Sequence, residues 1–154
     1  MGDIGPSMSS VREQIVTAFV DALKVGTKPP GPVFRSRAEP LSARDQLPAF
    51  VVYPTEEECS DEGSSIVMRV LTVRVECLVA GMPPQDQALD PLLVYAVKTL
   101  FADVNLQARL FHLEEKHTAW DFEKSYEGVA AAALDFLVTY ATTRGDLEED
   151  RTAH

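Results

Sequence analysis

The chain has few cysteines, few basic residues and no long apolar run. Its 154 residues include 2 cysteines, Cys59 and Cys77. That is too few for the disulfide framework of a small secreted domain, so both are expected to be free thiols. Lys and Arg number 14 against 24 Asp and Glu, a formal net charge of −10. Binding of nucleic acid through a basic face is disfavoured, because Lys and Arg contacts with phosphates supply most of that affinity.

Membrane and export signals are also missing from the sequence. No apolar run reaches the roughly 18 residues that a membrane-spanning helix needs. The first residues carry neither the cationic nor the apolar stretch of a signal peptide, and Pro6 stands where a myristoylation signal has Ser or Thr. The acidic balance disfavours docking on anionic lipid. We therefore expect a protein that is made in the cytoplasm and does not associate with membranes.

Two segments have the apolar periodicity of helices that cover a sheet. Ser10 and Glu13 form a capping box, and the apolar spacing that follows predicts a helix over 11–25. A second stripe predicts a helix over about 87–102, with Pro91 at its first helical position, where a missing N–H costs least. The stripe residues expected to be core are Ile15, Phe19, Leu23, Leu93, Val97 and Leu100.

The remaining apolar segments alternate as strands do. Strands are predicted at 33–37, 47–53, 64–79, 109–123 and 128–141. The segment 109–123 is either one bent strand or two short ones.

The longest strand pairs with the segment before it. Residues 48–57 and 64–80 are predicted to form an antiparallel hairpin with an acidic tip, and the apolar parity changes near Val70, which indicates a bend or bulge there. The expected fold is α+β, a mostly antiparallel sheet with two helices packed on one face. The domain is expected over 9–143, between a flexible tail at 1–8 and an acidic, disordered tail at 144–154.

No constellation of residues predicts catalysis. His112 and His117 are five residues apart, which on a regular strand puts the rings on opposite faces, and they lack the H-E-x-x-H order of a zinc helix. An acidic cluster around the hairpin tip could attract a divalent cation but lacks the order of a calcium loop, so a solvated acidic tip is the favoured interpretation. Its members are Glu56, Glu57, Glu58, Asp61 and Glu62. We expect no enzyme activity, metal or cofactor.

The order of these elements resembles a known family. The segment LPAFVVYP (47–54), the helix DPLLVYAVKTLF (90–101) and a closing strand with Thr139-Tyr140 carry the likeness, which covers about 10–142. They are similar to the tail terminator proteins of long-tailed phages, the lambda-like minor tail protein U group.

The resemblance implies a structural role in the virion. Such proteins form a hexameric ring on the head-proximal end of a tail tube, stop tube polymerisation and provide the surface for head–tail joining. The implied partners are further copies of the chain, the tail tube protein and the head–tail connector protein. DNA would pass through the ring without stable binding, past the acidic loop. The protein would reside in the virion after assembly in the host cytoplasm.

The long hairpin is the candidate for stopping the tube. As an arm it could reach a neighbour, with Arg69, Arg74 and Glu76 setting register at the contact. The alternative is that the strand bends and stays within its own sheet. Two other function classes remain open: another connector or tail completion protein, and a small acidic binding module or enzyme that uses His112, His117 and the acidic loop.

Overall fold

The computed structural model describes residues 9–36, 47–81, 84–123 and 128–152, which form three helices and six strands. The α+β class predicted from the sequence is confirmed. The predicted tail at 1–8 lies outside the described residues. The helices are α1 (Val11–Val25), α2 (Gln85–Ala102) and α3 (Val104–Gln107). The strands are β1 (Val33–Arg35), β2 (Ala49–Ser60), β3 (Ile66–Ala80), β4 (His112–Asp121), β5 (Val129–Thr143) and β6 (Asp146–Asp150).

All six strands belong to one curled, mixed sheet in the order β1-β2-β3-β5-β4, and β6 pairs with the end of β5. β1 runs parallel to β2, and every other pair is antiparallel. β3 is the central strand, paired with β5 along its whole length and with β2 from Met68 to Leu78. The hairpin of β2 and β3 is therefore built into the sheet, as the alternative given above expects, and does not project as an arm.

The helices cover one face of the sheet, here called the covered face, and leave the other as the open face. Residues of all three helices share one buried core with the inward residues of β2, β3 and β5. Phe19 of α1 meets Phe136 of β5 with ring centroids 6.0 Å apart. The prediction that Ile15, Phe19, Leu23 and Leu100 are core is confirmed, since each is fully buried.

The helix starts differ in how well the sequence predicts them. α1 runs over the predicted residues, and the Ser10 hydroxyl accepts the Glu13 N–H at 3.0 Å. α2 begins at Gln85, so Pro91 lies inside the helix and not at its first position. The phenol of Tyr95 donates to the Leu23 carbonyl at 2.7 Å, which ties α2 to the end of α1. α3 was not predicted, because a single helical turn is too short to show periodicity.

The C-terminal segment corrects the expectation of a disordered acidic tail. A turn at Arg144-Gly145, with φ +82° at the glycine, leads into β6. The Arg151 N–H donates to the Ala141 carbonyl at 2.9 Å, and the Thr152 hydroxyl accepts the Ala141 N–H at 3.0 Å. β4 ends before this part of β5, so the returning chain satisfies backbone groups that would otherwise lack partners.

A β-bulge lies in β2, not near Val70 in β3 as predicted. Pro54 is opposite Val73 and Glu56 is opposite Thr72, so Thr55 is the extra residue. Before the bulge, Phe50 and Val52 face the core. Beyond it the inward positions become odd-numbered, because a bulge shifts the alternation by one residue.

Candidate interaction surfaces

The bulge in β2 places Glu57 on the covered face, opposite Leu71. Arg12 at the start of α1 donates to both Glu57 carboxylate oxygens, at 3.2 and 2.8 Å. The Tyr140 phenol donates to Oε1 at 2.5 Å and Arg69 donates to Oε2 at 3.0 Å. Glu57 was predicted to lie in a solvated or channel-facing acidic loop. That prediction is wrong, since its side chain is only 10% exposed and is fully engaged by these three donors.

Burial and hydrogen bonding act in opposite directions on this cluster, Arg12, Glu57, Arg69 and Tyr140. Burial pushes the pKa of Glu57 upward, but hydrogen bonds from Arg12 and Tyr140 outweigh it and hold the pKa below its ordinary value of 4.5. Burial, together with the bond to the carboxylate, raises the pKa of Tyr140. The cluster is therefore ionised at Glu57 and neutral at Tyr140 near neutral pH. Its role in the described structure is to join α1 to the sheet.

Arg69 was predicted to set register with a neighbouring molecule, and the structure uses it internally. Its side chain is 11% exposed. Besides Glu57, its guanidinium reaches the Thr142 hydroxyl at 3.0 Å and the Cys59 sulfur at 3.1 Å. Because these partners hold the group inside its own chain, Arg69 is not available as an interface charge.

The rest of the acidic cluster is spread along β2 and the turn after it. Glu56, Glu58 and Glu62 are exposed. Asp61 accepts the Gly63 N–H at 3.0 Å and pairs with Arg144 at 3.1 Å, so it closes the turn at 61–65. Glu56 lies 4.0 Å from the Lys116 ammonium of β4. Only Glu58 and Glu62 therefore fit the predicted solvated loop without a charged partner among the described residues.

Arg74 and Glu76, the other two residues predicted to set register at an interface, lie on the open face. Arg74 makes a two-point ion pair with Asp135 of β5, at 2.8 and 3.0 Å. Asp135 is 9% exposed at its side chain, against 36% for Arg74. The hydrogen bonds to Asp135 raise the pKa of Arg74, so the pair remains charged.

A shallow pocket of about 210 Å³ lies beside this ion pair. Its floor consists of small side chains, Ala119, Ala131 and Ala133, which leave space that larger residues would fill. Charged and aromatic residues form its rim, namely Arg74, Glu76, His117, Trp120, Asp121 and Asp135. The alanine run in the sequence is thus partly explained, since alternate alanines face the core and the open face.

A second depression of about 500 Å³, here called the groove, lies on the covered side between α2 and β4. It is mainly apolar because α2 packs over β3 and β5 and leaves β4 bare. Trp120 is 49% exposed there, and Val94 is exposed as well. Leu93 and Val97 were predicted to be core, but they are half-buried and line the groove.

The two histidines correct another expectation. His112 lies opposite Thr139 and His117 opposite Asp135, so both are on the open face. A bulge between Glu115 and His117 shifts the alternation, which a regular strand would not do. Among the described residues there is no group of three or more His, Cys, Asp or Glu that could hold a metal ion. No described helix is long and apolar enough to cross a membrane.

Compared with models of known protein families and with curated protein sequences, the chain matches none.

Proposed function

We propose that this chain is a structural subunit that forms a ring on the head-proximal end of a phage tail tube, stops its polymerisation and offers a surface for head–tail joining. The proposal rests on the resemblance in element order and on the surfaces described above. The α+β fold, with its helices and strands in the order given above, agrees with the element order that carries the resemblance.

The observation that carries the proposal is that the sheet has two unlike open edges. At one end is β4, which has the groove on its covered side and His112 and His117 on its open side. At the other end, β1 pairs only with Phe50–Val52, so within the described chain the remainder of β2 has no strand on that side. A closed ring needs two different surfaces on each subunit, one for each neighbour. Two unlike edges on one small domain meet that need.

The acidic surface suits a conduit for DNA. Glu58 and Glu62 are exposed, and they would repel phosphates within a Debye length of about 8 Å at physiological salt. DNA could then slide past these residues without being held.

The test is assembly on purified tail tubes that lack their terminator. We expect negative-stain images to show a ring at one tube end and tube growth to stop when the protein is added. Trp120→Glu, at the β4 edge, should weaken this activity, whereas Val25→Glu, a matched change at the exposed end of α1, should not. Tubes that keep growing in the presence of folded wild-type protein would contradict the proposal.

The same experiment separates the closest alternative. A connector or tail completion protein would leave tube length unchanged and would instead be found on the connector of filled heads. Binding to neither structure would point to the small binding module.

A further inference from the structure

The pocket on the open face is built by the register of three strands. β5 runs along its middle, between β3 on one side and β4 on the other. Three rows of directly opposed residues cross this region: Leu78, Ala131 and Asp121; Glu76, Ala133 and Ala119; and Arg74, Asp135 and His117. The alanines leave the middle of this grid unfilled. The pocket therefore has an apolar floor, with a carboxylate on each side and an ion pair at one end.

The charges around this floor do not cancel. Three carboxylates and one guanidinium line the pocket. Asp135 neutralises Arg74 through their two-point contact at 2.8 and 3.0 Å. Within the described part of the chain, neither Glu76 nor Asp121 makes an ion pair. Two negative charges on opposite sides of the pocket thus lack a counter-charge.

These two carboxylates keep capacity for further hydrogen bonds. One oxygen of Asp121 accepts the Glu123 N–H at 2.8 Å, and its side chain is exposed. Glu76 has the phenol of Tyr53 near it, and burial and the Glu76 charge both raise the pKa of that phenol, which therefore stays neutral. A carboxylate offers about four acceptor positions. Each can consequently accept a donor from another molecule.

The open face around the pocket offers no free cation from the described chain. The other basic side chain that extends over this face, Lys116, lies 4.0 Å from Glu56. Glu58 and Glu114 are exposed on the same face. Since interfaces match a negative surface with a positive one, the complement of this face is a basic group.

We propose that the pocket receives an arginine side chain of a partner protein. Its methylene stem would lie on the alanine floor, as the stems of basic residues do on apolar surface. A guanidinium has five N–H donors in a rigid fork, so it can meet carboxylates on two sides, whereas an ammonium acts as a point charge. This inference rests on the open face and not on the proposed function, so either can fail without the other.

The size of the pocket favours one side chain over a free ligand. Its volume is about 210 Å³, whereas sites for drug-sized molecules have about 300–1,000 Å³ and bury most of the ligand. Because this pocket is shallow, a free molecule would leave much of its surface in water. A side chain is held in addition by the protein that carries it, and arginine is a common anchor at interfaces.

Amide NMR of the full-length protein tests the chemistry at pH 8, where histidine side chains are ordinarily neutral. The probe is the capped peptide acetyl-Gly-Arg-Gly-amide. We expect saturable shifts of the amide signals of Ala119, Ala131 and Ala133. The citrulline peptide, of the same shape without the charge, should give none, and the lysine peptide should bind about threefold more weakly. A citrulline peptide that binds equally, or a lysine peptide that binds as tightly, would overturn the assignment to a guanidinium.

Variants test the place of binding. Glu76→Gln should weaken binding of the arginine peptide about threefold, the effect of losing one partly exposed ion pair. Glu114→Gln, the same change on the open face outside the pocket, should leave it unchanged. Ala133→Leu should abolish binding by filling the floor, and the spectrum itself shows whether each variant is folded. Unchanged binding by folded Glu76→Gln or Ala133→Leu protein would place the peptide elsewhere and overturn the proposal.

A last comparison separates a protein partner from a small cation. Propylguanidinium is the arginine side chain without its backbone, and we expect the peptide to bind at least as tightly. Tighter binding of propylguanidinium would overturn the assignment to a partner protein. Wild-type protein that shows no saturable shift with the arginine peptide would overturn the proposal as a whole.

Discussion

The two faces of the sheet hold their buried carboxylates in different ways. On the covered face, Glu57 receives hydrogen bonds from Arg12, Arg69 and Tyr140, which come from a helix and two different strands. On the open face, the one ion-pair partner of Asp135 within the described part of the chain is Arg74 of the adjacent strand. The first arrangement joins distant parts of the chain, and the second joins neighbours that the sheet already holds together.

This difference predicts how each carboxylate contributes to stability. Removing one member of a buried ion pair leaves the other charge without compensation, which costs more than the pair itself contributes. Glu57 neutralises two guanidinium groups, whereas Asp135 neutralises one that is a third exposed and can be hydrated. The covered face should therefore respond strongly to substitution and the open face weakly.

The largest effect is expected for the apolar core. Phe19→Ala should lower the free energy of unfolding by about 3–5 kcal/mol, because it removes a fully buried ring and leaves a cavity. Leu137→Ala, on the open face, should cost about 1 kcal/mol or less, because that side chain is only half-buried. Urea unfolding at pH 7 measures both. Similar losses would show that the open face is also covered in solution.

The second effect concerns the Glu57 cluster. Glu57→Gln should lower the free energy of unfolding by about 2–3 kcal/mol, because Arg12 and Arg69 lose their counter-charge, with Arg12 partly relieved by solvent. Glu58→Gln, one residue further along the strand and exposed, should change it by less than about 0.5 kcal/mol. If the two variants unfold at the same urea concentration, the cluster contributes no more than surface charge does.

A smaller effect is expected for the open-face ion pair. Asp135→Asn should cost about 1 kcal/mol, since water can solvate Arg74 when its partner is lost. Glu114→Gln, an exposed neighbour on the same face, is the control and should be neutral. A loss as large as that of Glu57→Gln would remove the contrast between the faces.

The smallest effect is a pH dependence of the stability that Glu57 contributes. Because the pKa of Glu57 lies below its ordinary value of 4.5 in the folded chain, its stabilising contribution is present above that value and is lost as the pH falls through the folded pKa. The difference in unfolding free energy between wild type and Glu57→Gln should thus be constant from pH 7 to 5 and shrink by pH 3. A difference that grew on acidification would have the wrong sign.

Local signals in the sequence predict much of this fold. The capping box and apolar spacing define α1 residue by residue, and alternation identifies β3 and β5. These features depend on neighbours in the chain, so they can be recognised without knowing the tertiary structure.

The environment of Glu57 could not be predicted in the same way. It depends on a one-residue bulge at Thr55 and on Arg12 and Tyr140, which lie 45 and 83 positions away in sequence. A segment with five acidic residues is expected to be exposed to solvent, and nothing in its sequence distinguishes the acidic residue that is buried. β6 was missed for a related reason. Its polar composition favours disorder, and it forms a strand because it pairs with the end of β5 that β4 does not reach. The groove at Trp120 depends on where α2 crosses the sheet.

The bulge at Thr55 has a consequence for which one-residue deletions β2 can tolerate during evolution. β2 carries one residue more than its pairing partners require. Loss of Thr55 would leave Phe50 opposite Cys77 and Glu57 opposite Leu71, the partners that they have now. Loss of Val51 would instead reverse the side-chain alternation on one side of the deletion. Either Val52 or the acidic half of the strand would then point to the opposite face of the sheet. Thr55 is thus the one position in β2 where a codon can be deleted with every neighbour kept in place, and a deletion scan read out by soluble expression would identify it.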